Sequence, residues 1–332
     1  MEAYRTAKYD ILWVIDSNVS VVPDTLLRSI ASFNSKPPPA PRVGLVHHVP
    51  YAIASERDNT LGTQLERAFL NTNHAKMYIA LNTLAIDSCV MGKSNLFRRS
   101  DLEKINASMV PLHKQLPPPG EGEPVRGLAA VAKFAAEDAM IGSAIWHELG
   151  LAHHLSLDVA ANALGPMSFP AYLSRRARWI RVRKGTVVAA TFLEPFTESV
   201  FAGVLAAWAL RYLTHGAVGL GTGLLLNWAV FLTIDLDVRY VLTEKPFGSW
   251  TEMAAFVLAW MGRELLAFPI WLYAVCGSEI DWRGEKYRML RGGEVERVQS
   301  SDRQQSVVGK LATRLFGRRR RGSYEPLLPN GP

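Results

Sequence analysis

Arg175-Arg176-Ala177-Arg178-Trp179 places three cations and an indole where charged, mixed sequence gives way to long apolar segments. On a helix, Arg175 and Arg178 are three apart and share a face. Two guanidiniums on one face suit a pyrophosphate leaving group, and Trp179 beside them would line a wall for a sugar or an acceptor. The same residue types also serve as an interfacial anchor, with Arg and Trp at headgroup depth. Spacing alone favours the anchor. Asp16 follows a short apolar run and would stand at the carboxyl end of a buried strand, the edge where open α/β sheets bind ligands. A carboxylate there suits a divalent cation, Mg²⁺ or Mn²⁺, that also binds diphosphate oxygens. It equally suits a turn or a helix N-cap. Glu137-Asp138 are adjacent acids at a helix start, where the helix dipole favours acids of any function. Their chemical reading is a general base that deprotonates an attacking hydroxyl. Asp138 lies near Phe134 and Met140 in sequence, so partial burial would raise its pKa toward that task.

Other candidates carry less. His47-His48 follows a strand and reads as an ordinary polar strand end. His153-His154 has no partners at metal-ligand spacing, which argues against zinc. Gly92-Lys93-Ser94 lacks the upstream glycine of a phosphate-binding loop and reads as a plain turn. Cys89 suits a core position better than a nucleophile.

The elements that must position these residues follow from pattern. Apolar runs predict strands over 9–15 and 42–48, and a strand and turn over 89–97. Helices are expected from Asp24 to about 32, over 60–73, from Ala135 to about 149, and, strongly basic, over 170–184. Residues 113–127 are rich in Pro, Gly and Glu and read as a surface loop.

Three apolar segments follow. Residues 217–234 carry no charge and meet the length of about 18 residues that a spanning helix needs; the predicted span is 217–238. The second predicted span is 253–276, interrupted by Arg263 and Glu264. The first segment, 185–213, holds Glu194, Pro195 and Glu198 at its middle, costly features for a bilayer centre. It is expected to lie in the interface or to be re-entrant. Basic residues flank the apolar region on both sides, Arg175 to Lys184 before it and Arg283 to Arg291 after it. That puts both flanks in the cytosol, with two crossings between them. Residues 1–184 then form one domain, 185–280 the membrane segment, and 281–332 a basic cytosolic tail expected to be disordered.

Composition agrees with this division. The chain has 332 residues, 48% hydrophobic, a formal net charge of +7 and two cysteines. The basic residues concentrate beside the apolar segments and in the tail, a pattern matched to anionic headgroups and not to nucleic acid. Two distant cysteines exclude a disulfide framework and favour a reducing compartment.

The order strand-end Asp, Glu-Asp, Arg-x-x-Arg-Trp, membrane helices resembles membrane-bound inverting glycosyltransferases of the glycosyltransferase A fold. Within that class, Lys8-Tyr9-Asp10 leading to Asp16-Ser17, Pro23-Asp24-Thr25-Leu26, Val43 to His47 with Pro50-Tyr51, Cys89 to Ser94, Ala136-Glu137-Asp138 and Trp282 to Gly293 resemble the ceramide glucosyltransferase family. The resemblance covers roughly residues 8–295. It implies an α/β, Rossmann-like partial glycosyltransferase A domain and transfer of glucose from UDP-glucose to the primary hydroxyl of ceramide. It further implies a Golgi (or endoplasmic reticulum) membrane with the catalytic part facing the cytosol. The roles implied are Asp138 as base, Asp16 as metal ligand, and Arg175, Arg178, Trp179, His47 and Glu137 as substrate-binding residues. Asp16-Ser17-Asn18 departs from a double-aspartate metal motif, so only Asp16 carries over. The family's membrane anchor and uridine-holding strands would precede Met1, so a chain truncated at its N-terminus is expected. The rival readings are a processive polysaccharide synthase of the same superfamily and an inactive fragment.

Overall fold

The strand of residues 43–54 is the axis of the soluble part. A computed structural model describes residues 2–35, 39–107, 125–282, 284–290 and 292–298. Its larger sheet has five strands: β1 (Ile11–Ile15), β2 (Val19–Ser20), β3 (Val43–Ala54), β4 (Ser94–Arg98) and β5 (Ala152–Leu164), in the order β1-β4-β3-β5-β2. β3 and β5 are parallel and the remaining pairs antiparallel. Val43 to Pro50 is buried throughout, as expected for a strand covered on both faces. On one face the helix Glu137–His147 packs Met140, Ile141 and Ile145 against Leu45 and Phe97. On the other, the helices Leu61–Phe69 and Ala75–Leu84 present Phe69, Ala75 and Tyr78 to Val49 and Ala52. These two helices are joined by a π-helical turn, Leu70–His74, where a sequence reading expects one helix ending at 73. The wider turn aims Asn71 at the β3 backbone, accepting from Ala52 N–H at 2.6 Å. Such insertions recur at functional sites.

The basic helix forms as Phe169–Thr186, with Ser168 capping it by accepting from Ala171 N–H and Pro170 in its first turn. These are ordinary helix-start features. Its Tyr172, Ala177 and Ile180 pack on Ile270 and Ala274 of the long apolar helix Trp250–Val275. The helix Leu220–Thr243 packs Val238 and Leu242 beside Tyr78. Leu220–Thr243 and Trp250–Val275 are each long and apolar enough to cross a membrane. Their exposed Leu225, Leu226, Leu258 and Leu265 form outward faces suited to acyl chains and not to water. Segment 185–213 divides into Val188–Thr197 and Ser199–Leu213, bent by 56° at Glu198. Glu194 is neutralised by Arg183, and Glu198 by Arg263 at 2.8 Å.

Two expectations are corrected. Within the strand and turn expected over 89–97, the turn falls at Gly92-Lys93 as expected, and the strand begins only at Ser94 because residues 89–93 line a cavity. The tail expected to be disordered from 281 folds at its start: β6 (Glu279–Trp282), β7 (Glu285–Met289) and β8 (Val295–Arg297) form a second sheet. It is tied back to the basic helix by Gly292 N–H donating to Gly185 at 3.0 Å. Residues 299–332, with the Arg318 cluster, and most of the 113–127 loop lie outside the described residues.

Candidate active site

A cavity of about 460 Å³ opens between the sheet's edge, the basic helix and β6. Asp16, Glu137, Asp138, Arg175, Arg178 and Trp179 all line it, although they span more than 160 positions of sequence. The β1–β4 register places Ile15 opposite Ser94. Asp16 therefore emerges beside Lys93; its N–H donates to the Lys93 carbonyl at 3.1 Å, and the Lys93 ammonium donates to Asp16 Oδ2 at 2.6 Å.

Asp138 stands in the first turn of its helix, above Gly92. Burial raises its pKa to about 6, against the opposing pull of backbone N–H groups in its own helix turn and at Gly92. Glu137 next to it contributes a further upward push. Gly92 has a steric reason to be glycine. A Cβ there would sit 2.7 Å from Asp138 Oδ2 and 3.0 Å from Asp138 Cβ. Gly92→Ala is expected to displace this carboxylate and lower turnover by about 10²-fold, the scale of a 1 Å misplacement, with little change in melting temperature. Steady-state kinetics alongside thermal unfolding checks it, and unaltered turnover would show that the carboxylate position is not limiting.

The basic helix divides its cations among several jobs. Arg175 is held at one end: its Nε donates to Glu66 Oε1 at 2.7 Å, Glu66 being 0% exposed, while the residue still lines the cavity. Arg183 is similarly held by Glu194. Arg178, half-buried, lines the cavity with no ion pair among the described residues. Trp179 packs edge-on to Phe69 and His74, with centroids at 6.3 and 5.8 Å, so its ring is a fixed wall.

His47 lies elsewhere. It is 0% exposed, one layer beneath the cavity, with Nδ1 2.5 Å from the hydroxyl of Tyr78, which does line the cavity. Burial holds its imidazole well below its ordinary pKa. It supports the wall from behind and is not itself a lining residue. Cys89 faces the cavity, but burial pushes its thiol up to about 11, so it stays protonated and a poor nucleophile.

The sequence reading assigned no site role to Lys93, His74, Arg176 or Trp282, all of which line the cavity. Lys93 sits in a turn with no motif of its own. His74 is aimed inward by the π-helical turn and is kept neutral, its pKa lowered to about 3 by burial and by Arg176 and Arg183. Trp282 arrives from the second sheet. None of these placements has a local signal, because each depends on a distant element.

At the strand end a divalent cation finds one carboxylate, Asp16, apart from the Glu137-Asp138 pair at the helix start. Asp16 is 45% exposed and already paired with Lys93. Among the described residues no group of three His, Cys, Asp or Glu could hold a metal. The site fits a cation shared with a diphosphate through Asp16 alone, once Lys93 releases it, and does not fit a cation caged by protein.

Comparison with known proteins matches residues 1–112 and 123–295 to the model of glycosyl transferase family 21. Curated relatives include a ceramide glucosyltransferase of Komagataella phaffii, 34% identical over 87% of this chain and 66% of the relative. A ceramide glucosyltransferase of Pyricularia oryzae is 31% identical over 92% of this chain and 69% of the relative. Ceramide glucosyltransferase 1 of Caenorhabditis elegans is 24% identical over 93% and 59%. The chain thus spans about two thirds of the length of its fungal relatives.

Proposed function

Because the chain belongs to glycosyl transferase family 21, we propose that it transfers glucose from UDP-glucose to the primary hydroxyl of ceramide, with inversion at the anomeric carbon. The observation that carries this reading is one cavity holding an acid with a pKa of about 6, a strand-end aspartate and a cationic helix beside two membrane-length helices. A carboxylate tuned to that value is ionised at neutral pH yet basic enough to accept a proton in the transition state. In the proposed reaction Asp138 takes the proton as the hydroxyl oxygen attacks. The new C–O bond forms opposite the breaking bond to the diphosphate, and UDP departs with the bonding pair. Arg178 steadies the charge that develops on the leaving group. Trp179 and the neutral His74 bound the acceptor side and keep water from the anomeric carbon. Asp16 would hold Mg²⁺ or Mn²⁺, which supplies neutralising charge to the leaving diphosphate when bound.

Ceramide does not need to leave the bilayer, because the basic helix lies directly on Trp250–Val275. Two crossings would return both basic flanks to one side, and their charge favours the cytosol for that side, at the Golgi or endoplasmic reticulum membrane.

The test is incubation of membranes carrying the chain with labelled UDP-glucose and ceramide. Labelled glucosylceramide is expected. A polymer formed without ceramide would support the polysaccharide synthase reading instead, and no product from either would support the inactive-fragment reading.

A further inference from the structure

Arg176 is the buried cation of this cavity that has no ion partner among the described residues. It is 6% exposed and lines the cavity. Among the described residues it makes no hydrogen bond or ion pair, and its Nη1 is buried with no acceptor. The carboxylates close enough to favour its charge, Glu66 and Glu194, each bond a different arginine, Arg175 and Arg183. Its guanidinium lies 3.3 Å from the centroid of Phe69 and 5.2 Å from that of Trp179. Those rings fix the plane of the guanidinium, and cation–π attraction replaces part of its lost hydration. They accept none of its N–H groups in ordinary hydrogen bonds. A buried guanidinium with unmet donors is costly to keep unless an anion completes it. Its rigid fork matches phosphate oxygens two at a time.

We infer that Arg176 is a binding residue for the diphosphate of the nucleotide-sugar donor, standing beside Arg178 while the Nε of Arg175 is held by Glu66. The inference rests on the donor reading given above. It distinguishes Arg176 from a structural cation in a definite way. Removing a structural cation weakens the fold, whereas removing an unpaired buried charge from the empty protein does not.

The experiment uses the full chain in phosphatidylcholine nanodiscs, with UDP as probe in the presence of Mg²⁺ and a thermal melt without nucleotide. Arg176→Met is expected to weaken UDP binding by about tenfold or more, the scale of a charge-assisted hydrogen bond, while the ligand-free melting temperature stays the same or rises. Arg176→Lys keeps the charge but not the fork, and should lose part of that affinity. Unchanged UDP affinity in Arg176→Met overturns the inference. So does lost affinity accompanied by a lower ligand-free melting temperature, which marks a structural role. If Arg176→Met does not fold, unchanged UDP affinity in Arg176→Lys overturns it. Failure of the unsubstituted chain to bind UDP at all overturns the donor reading itself and this inference with it, a result distinct from the others.

Discussion

Asp138→Asn is expected to lower turnover by about 10²- to 10⁴-fold, the usual worth of a positioned general base, while UDP still binds. The amide preserves shape, so Gly92 and the first turn of the helix need not move, but it cannot take a proton from the acceptor hydroxyl. The pH profile sharpens the test. The carboxyl titrates near 6, above its ordinary 3.8, because burial disfavours the charged form. The basic form is the ionised one, so activity of the unsubstituted chain should rise as pH increases through about 6. Stability runs the opposite way. Between about 4 and 6 the folded state binds more protons at this site than the unfolded chain, so stability falls as pH rises across that window. Asp138→Asn should remove both the rising limb of residual activity and this slope in stability. Kinetics and melting curves between pH 4 and 8 read both effects. Retained turnover with an unaltered profile would refute Asp138 as the base.

Arg263→Met is expected to give the largest loss of stability. Arg263 lies in Trp250–Val275, 3% exposed, with its guanidinium bonded to Glu198 at 2.8 Å and to Glu264. Glu198 also accepts from Asn73 in the π-helical turn at 3.0 Å, and Glu264 accepts from Ser199. One cation thus joins the bend at Glu198, a spanning-length helix and the turn that carries His74 into the cavity. Without it two buried carboxylates face each other unpaired. Breaking a buried pair in this way costs about 3–5 kcal/mol, enough to lower yield or prevent folding. Removing the carboxylates as well, in the triple change Glu198→Gln, Arg263→Met, Glu264→Gln, should recover much of the loss, because no charge is then stranded. Detergent-solubilised melting temperatures and expression levels measure this. A single variant as stable as the unsubstituted chain would mean that water reaches these carboxylates and the triad is not a closure of the fold.

The parts of this protein legible in its sequence are those set by local repetition. Strand β1, the helix at Thr25–Ser32, the helix at Glu137 and the basic helix each announce themselves by apolar period, end residues and charge. The two spanning-length helices follow from length and apolarity alone, because a bilayer imposes one simple requirement on any segment that crosses it. The candidate residues Asp16, Glu137, Asp138, Arg178 and Trp179 were also identifiable, since strand ends and helix starts are where such chemistry is positioned. The bend at Glu198 was foreshadowed by Pro195 and two acids in an apolar run.

What the sequence left open concerns partners. Arg175 and Arg176 are adjacent and identical, and helical spacing favours the first as the ligand-facing cation. The fold reverses their circumstances: Glu66, on a helix more than a hundred positions earlier, claims Arg175, while Arg176 is left against Phe69 with an unmet donor. His47 looks like a site residue in a linear motif and is a wall support behind Tyr78. Lys93 looks like a plain turn residue and is the ion partner of Asp16. Period, capping and apolar length are properties of neighbours in sequence, so the chain alone determined its elements and where chemistry would gather. Charge pairing and burial are set by whichever group arrives across space, and only the tertiary structure decided which arginine pairs with Glu66 and which has no ion partner among the described residues.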